Sequence, residues 1–548
     1  MTHRQRRYRL LAALTLIAAL LALSACRAKG TEETLESQEA HETQDMSIPA
    51  WQRYANEEIT LDWYVHFSWF STTWGNDVVA QKITEETGVR VNFVPFVGDE
   101  VEKLASLVSS NALPDIITIG FWEPQVEELI LGDYIYPLNE LADEYDLYFW
   151  EVAQPQRIAW YTRSDGSIFA YPNSSYTPKD YENNDKIGSN QSFLVRADIY
   201  EAIGSPNMST PEGFKNAIRD AFEYMPTVDG KPLLAIGLSE FNTGGNHSLD
   251  EILMNFLAIP FEKDGEIYDR VSDPDYIMWL KALRELYAEG YISNELFIDR
   301  RVQMVEKVAQ GRYFCMLYQH ADIADQQIYR HSRDPNGVYI AVEGPKNSNG
   351  DNHRLPGTGI NGWTVTMISK SCESPQRAIA LMSYMLSEHG QKILYCGIEG
   401  VTYDHDESGN VVFRDEVLEL LSQDRIEYNR LYSGDNTYWM LQDNAMQLKW
   451  QLTPQAPLAQ PREWTYPYTE YIVEYDVSIT EPVAMDANWR IKNEWGGILP
   501  QLFTAPTEED FDRLYESFLQ ARWELGYDIV LAEWVRLLDE AKLRLGVD

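Results

Sequence analysis

The 548-residue sequence predicts an α/β fold organised around a parallel, doubly wound sheet, and three stretches carry that expectation. In the first, Ile59, Leu61, Trp63, Val65 and Phe67 alternate at period two. A helix with Val79 and Ile83 then opens at Asn76 and Asp77 and closes at Gly88. Strand 89–94, helix 99–109 and strand 116–119 complete a β-α-β-α-β run, whose crossovers favour parallel pairing. The second stretch is similar in build: Thr210 and Pro211 open a helix, strand 233–238 follows, and strand 313–318 comes after two further helices. In the third, Trp363, Val365 and Met367 alternate before Ser374 and Pro375 open a helix through Ile379, Met382 and Leu386. Ser387 caps another helix that ends at Gly397.

Ahead of these elements, Arg4, Arg6, Arg7 and Arg9 precede an apolar run over 10–23 and then Leu23-Ser24-Ala25-Cys26. A basic start followed by about 14 apolar residues is a signal peptide, shorter than the roughly 20 needed to span a bilayer. Leu-Ser-Ala-Cys resembles the lipobox, which makes Cys26 the expected point of lipid (palmitate) attachment; the alternative is an ordinary signal peptide with an incidental Cys. Residues 27–58 are rich in Thr, Glu, Gln and Ser without any period, so a flexible tether reaching about 30 Å is expected.

Between the main stretches, 129–145 reads as helix broken at Gly132 and Pro137, and a polar loop with Pro172 and Asn173 leads to strand 192–196. A Gly-rich loop at 241–246 precedes helix 248–257, and Asp273-Pro274 opens a helix through Ile277, Leu280 and Leu283. Residues 337–343 read as a strand. Beyond 411 the chain is helical and Trp-rich, with Phe511, Leu514, Phe518 and Trp523 as packing residues. Trp489, Trp495, Gly496 and Gly497 read as a loop.

Residues 359–403 go further than periodicity does. A Trp-containing strand ends in Ile-Ser-Lys, a helix opens with Ser-Pro and carries Arg-Ala, a Ser-Glu-x-Gly-Gln turn follows, and Tyr395 to Tyr403 reads Y-C-G-I-E-G-V-T-Y. This wording closely resembles extracellular solute-binding proteins of ABC importers, in the carbohydrate-type (family 1-like) lipoprotein branch of Gram-positive bacteria. Weaker echoes run from about 59 to 535, including Leu286 to Gly290. The resemblance implies the type II periplasmic-binding-protein fold: two doubly wound lobes joined by a hinge. Lobe one would comprise 59–170 and 338–410, lobe two 171–337 and 411–548, after a 1–25 signal peptide and 26–58 lipidated tether. Strand 337–343 would then return the chain to the first lobe. Many relatives carry an acidic calcium loop after the first helix of lobe two; residues 225–231 are too short for it, with one carboxylate, so no metal or other cofactor is expected. Asp404, Asp406, Ser408, Gly409 and Asp415 loosely fit an EF-hand, but a hairpin turn at Ser408-Gly409 fits better.

Ligands of open α/β sheets bind beyond the carboxyl ends of the strands. That rule selects His66, Trp69 and Trp74 after the first strand, Trp122 and Glu123 after the third, and Tyr318 and Gln319 in the second lobe. Asn242 lies in the Gly-rich loop, and Asn361 and Trp363 open the third stretch. The resemblance places Tyr171 and Asn173 near the hinge. Flat rings beside amides and carboxylates suit the C-H face and hydroxyl rim of a sugar. Packing within the crevice is the bland reading of the same aromatics.

The formal net charge of −40 excludes a nucleic-acid footprint. No G-x-S-x-G, H-E-x-x-H, P-loop or G-x-G-x-x-G after a strand is present. Besides Cys26, only Cys315, Cys372 and Cys396 occur; a Cys372–Cys396 bridge is conceivable, and buried free thiols are the expectation. The implied function is capture of an oligosaccharide between lobes by a monomer, without enzymatic turnover and outside the cell, for delivery to an ABC permease. A secreted glycan hydrolase using Glu123 as acid, or a surface sensor of the same ligand, are the alternatives.

Overall fold

The computed structural model describes residues 45–450 and 457–547. The expected signal peptide and the expected lipidation of Cys26 lie outside them. Residues 45–48 belong to a separate N-terminal unit; all that follows concerns the unit from Pro49 onward.

Nine strands form its two main sheets: β1 (Ile59–Val65), β2 (Val89–Phe93), β3 (Ile116–Gly120), β4 (Tyr171–Pro172), β5 (Gln191–Arg196), β6 (Leu234–Gly237), β7 (Tyr313–Gln319), β8 (Tyr339–Ala341) and β9 (Thr364–Ile368). The first sheet has the order β2-β1-β3-β9-β4, with β1 parallel to both β2 and β3, as the β-α-β-α-β pattern requires. Late in the chain, β9 enters antiparallel to β3, and β4 pairs antiparallel with β9. The second sheet, β8-β5-β7-β6, is mixed: β5 is antiparallel to both of its neighbours, and β7 pairs parallel with β6.

Each sheet is buried on both faces. In β1, Trp63 and Val65 pack with Val79, Ile83 and Leu381 on one side, while Tyr64 packs with Leu104, Ile117 and Met367 on the other. The helices that cover them start where the sequence says: the Asp77 carboxylate accepts from the Ala80 amide (2.8 Å), and Asp99 accepts from Glu102 (2.9 Å). The Asp77 cap also accepts from the Tyr438 hydroxyl at 2.8 Å, tying a first-lobe helix to a distant stretch. In the second lobe, Phe193, Phe214, Trp279 and Phe314 share a core with Trp495, Leu499, Phe511 and Phe518 of the C-terminal helices.

Several boundaries differ from expectation. The helix Ala50–Arg53 docks on the first lobe: the Ala50 amide donates to Asp146 at 2.9 Å, and Trp51 meets Tyr384 edge-on. A tether reaching 58 is therefore corrected, because Ala50 and Trp51 find apolar partners that composition could not reveal. Strand β8 pairs with β5, so 338–341 belong to the second sheet and the return to the first lobe comes later. Tyr171–Pro172 pairs with β9 and belongs to the first. Tyr438, Met440 and Leu441 sit in the first-lobe core, so that lobe claims part of 411–450. Trp489, Trp495, Gly496 and Gly497 lie inside the helix Pro482–Thr504. Gly496 is required there by close approach: a Cβ would lie 2.3 Å from the Thr243 carbonyl oxygen. Residues 403–413 form a hairpin, in which Asp406 accepts from the Ser408 and Asn410 amides. Cys315, Cys372 and Cys396 are free and buried.

Candidate functional site

The chain passes between lobes three times: from β4 to β5, from β8 to β9, and between 441 and 459. Where the first two crossings meet, Asn173 is fully buried. Its side-chain oxygen accepts from the Thr364 amide (2.8 Å), and its amide nitrogen donates to the Trp439 carbonyl (3.2 Å). Gly362, at φ +72°, passes so near that a Cβ would lie 2.0 Å from the Asn173 carbonyl. Asn361 is buried too: it accepts from the Trp160 indole (2.6 Å), and its backbone amide donates to Asp476 (2.9 Å). Tyr171 is 1 % exposed and its hydroxyl accepts from the Gln154 amide. These three residues were expected to touch ligand. Each instead spends its side-chain polar atoms on protein partners and is buried.

Arg157 and Asp443 form a buried bidentate pair at 2.8 and 2.9 Å, and Arg157 also donates to the Ser175 carbonyl on the first crossing. With both partners enclosed, removing either one would strand a charge.

At the carboxyl end of β1 and the amino end of β9 the rings of Phe67, Trp69, Trp363 and Trp439 gather. Trp69 and Trp363 lie nearly parallel (10°, centroids 6.2 Å apart), Phe67 stacks on both at 5.2 and 5.5 Å, and Trp439 lies 4.5 Å from Trp363. Trp69 remains 39 % exposed. Trp122, 48 % exposed, flanks Phe121, whose amide donates to the Trp363 carbonyl. The structure brings Trp69 and Trp363 together from residues almost 300 positions apart. Phe67 and Trp439 join them unannounced: Phe67 reads as the last residue of a strand, and Trp439 belongs to a stretch without a periodic signal.

Other expected residues lie elsewhere. His66 is 2 % exposed, with its ring nitrogen 3.0 Å from the Tyr64 hydroxyl; burial pushes its pKa down to about 4, which keeps it neutral. Trp74 packs on Tyr438 and donates to Thr84 within the first-lobe core. Tyr318 is buried beside Ile323 and Met304, and Gln319 is partly buried opposite Gln191. Asn242 is exposed, but its side chain caps its own turn by accepting from the Gly244 amide.

Facing the rings, the second lobe supplies polar groups. The Arg301 guanidinium lies 5.2 Å from the Trp69 ring centre and 3.3 Å from Asp322. A π-helical turn, Ser248–Leu253, follows the strand-end loop of β6 and sets His247 3.5 Å from Glu251. Burial opposes charge on both, yet their mutual attraction wins, raising the His247 pKa and lowering that of Glu251. Their side chains nevertheless keep 36 % and 43 % exposure. From the first lobe, Glu123 is partly buried; desolvation raises its pKa against the opposing influence of Trp122 and of Lys492 on the helix Pro482–Thr504. The ring cluster of the first lobe meets the charged groups of the second through Arg301. Among the described residues no group of three or more His, Cys, Asp or Glu is placed to hold a metal ion, and no helix is long and apolar enough to cross a membrane.

Comparison with known proteins agrees with this architecture. Residues 79–402 match the model of the bacterial extracellular solute-binding protein family, and the chain belongs to that family. The fructooligosaccharide ABC transporter substrate-binding protein FusA of Streptococcus pneumoniae is 23 % identical over 302 residues, spanning 52 % of this chain and about half (53 %) of that relative. Among solved structures, the same FusA in complex with kestose superposes with a TM-score of 0.66 at 14 % identity, covering 88 % of this chain and all of the other (100 %). An HMO-binding, ABC-transporter-associated solute-binding protein from Bifidobacterium longum infantis gives 0.61 at 12 % identity, covering 88 % and 99 %. The two-lobed periplasmic-binding-protein fold expected from residues 359–403 is the fold observed.

Proposed function

We propose that this protein is a lipid-anchored extracellular receptor that captures an oligosaccharide between its lobes and presents it to an ABC permease. The observation that carries the reading is the four-ring surface of Phe67, Trp69, Trp363 and Trp439, set opposite Arg301, His247, Glu251 and Asp322. Aromatic faces take the C-H faces of sugar rings, and the opposing groups pair with hydroxyls. A ligand held by both walls is bound fully only when the lobes are together, so binding shifts the open–closed population, and the permease reads the closed form. The fructooligosaccharide and HMO labels of the relatives support a glycan as cargo. Cys26 is the proposed site of lipid attachment, and a monomer is the proposed state.

The test is a thermal-shift screen of the full chain against kestose and other oligosaccharides, amino acids and peptides, with recovery of whatever binds. A ligand present at a hundred times its dissociation constant adds about 2.7 kcal/mol. A stabilising sugar recovered intact supports a receptor. A sugar recovered cleaved, with cleavage lost in Glu123→Gln, would instead make it a hydrolase. Stabilisation only by peptides or amino acids would overturn the carbohydrate assignment.

A further inference from the structure

We infer that the helix Tyr527–Leu545 straps the two lobes together, with Arg544 as its catch on the first lobe. The helix itself is fixed to the second lobe: Trp534 stacks on Phe261 (22°, centroids 6.1 Å apart), Lys542 pairs with Glu262, and Leu538 and Ala541 pack on Val473. From its last turn Arg544 reaches the helix Pro155–Tyr161. There the guanidinium donates to the Ala159 carbonyl at 2.8 Å and to the Trp160 carbonyl, and it lies 4.6 Å from the centre of the Trp160 ring.

The helix that is caught is a first-lobe element. Ile158 and Tyr161 pack into the clusters on the two faces of β1, while Trp160 turns the other way and joins Val473, Leu538 and Ala541. The Trp160 indole also donates to Asn361 at 2.6 Å, which sets the contact beside the crossing strands. The chemistry suits the place. The last carbonyls of a helix have no partner within it and form the negative end of its dipole, and a planar fork of N–H donors answers two of them while its face covers the indole.

Such hydrogen bonds hold only near about 2.7–3.2 Å, so rotation of one lobe against the other breaks them. The catch is made in the same conformation that sets Arg301 on Trp69. It therefore favours the form with the lobes together in the empty protein, and a ligand that needs this form binds more tightly in proportion to the fraction already in it. The strap acts whatever the chemistry of that ligand.

The experiment is hydrogen exchange of the ligand-free full chain, read at residues 66–74, the loop that carries Trp69, and at 155–162, with small-angle scattering alongside. In Arg544→Ala, exchange at 66–74 should quicken about fivefold and the radius of gyration should rise. Arg544→Lys, which keeps the charge and loses the fork, should fall between variant and parent. Leu543→Ala, at a side chain 83 % exposed on the same helix, should match the parent. Unchanged or slower exchange at 66–74 in Arg544→Ala would overturn the strap. So would acceleration confined to 155–162, which would make Arg544 a local cap of that helix, and so would equal acceleration throughout β1–β3 and β5–β7, which would be a general loss of stability.

Discussion

The Arg301 guanidinium of the second lobe lies 5.2 Å from the centre of the Trp69 ring of the first, on a ring that Phe67 and Trp363 stack against. It joins the two lobes at the rings proposed to take the sugar. A cation–π contact of this partly exposed kind contributes about 0.5–1 kcal/mol. Replacing Arg301 by Gln should therefore favour the open form of the ligand-free protein by roughly two- to fivefold. A larger radius of gyration by small-angle scattering and altered tryptophan emission are the expected readouts. Identical scattering curves for variant and parent would show that the contact does not hold the lobes.

Trp439 lies 4.5 Å from Trp363 and backs the exposed rings. Trp439→Ala should weaken oligosaccharide binding by tenfold or more, about 1.4 kcal/mol, while Trp439→Phe retains most of it. Titration calorimetry with whichever sugar the thermal screen identifies would decide this, and unchanged affinity in the Ala variant would remove the ring surface from the site.

Two adjacent glycines in the helix Pro482–Thr504 should respond in opposite directions. A Cβ at 496 meets the Thr243 carbonyl at 2.3 Å, whereas one at 497 has nothing within 4 Å. Gly496→Ala should cost about 1–3 kcal/mol of stability through displaced packing. Gly497→Ala should add about 0.5–1 kcal/mol by restricting the unfolded chain. Denaturant melts of the two single variants would test the pair, and a stabilised Gly496→Ala would contradict the close approach described here.

Asp476 is a buried carboxylate at the lobe junction, accepting from the Asn361 amide and the Tyr471 hydroxyl. Burial raises its pKa to about 6, above its ordinary value of 3.8. A carboxyl raised in this way is penalised in the folded state when ionised, so the penalty is full above pH 6 and is relieved as pH falls toward 4. His66 acts in the opposite direction, since its lowered pKa removes stability over a similar range. Comparison with Asp476→Asn isolates the first effect. Relative to that variant, the unaltered chain should gain stability between pH 7 and pH 4.5, and a pH-independent difference would refute the buried-acid account.

Much of the fold was legible because local chemistry agreed with long-range structure. Asp77 and Asp99 cap the helices they precede, and β1, β2 and β3 pair in parallel as their crossovers demand. Misreadings arose where the decisive partner was remote. Strand β8 could have joined either sheet, and only its pairing with β5 assigns it. Gly496 and Gly497 suggested a loop, because the close pass of Thr243 that accounts for the first leaves no local mark. At the site, sequence identified loops but not the direction in which side chains turn. His66 turns inward onto Tyr64, while Phe67 and Trp69 turn toward Trp363 and Trp439.

The insertion of β9 between β3 and β4 governs the order of assembly. The first-lobe sheet cannot close until residue 368 has been made, and its core is unfinished before Leu441. The buried link from Arg157 to Asp443 joins residues 286 positions apart. Contacts of such sequence separation come late and make folding slow. A chain of this design leaves the ribosome with the edge of β3 uncovered until β9 is made, which prolongs its exposure to aggregation before the sheet is sealed.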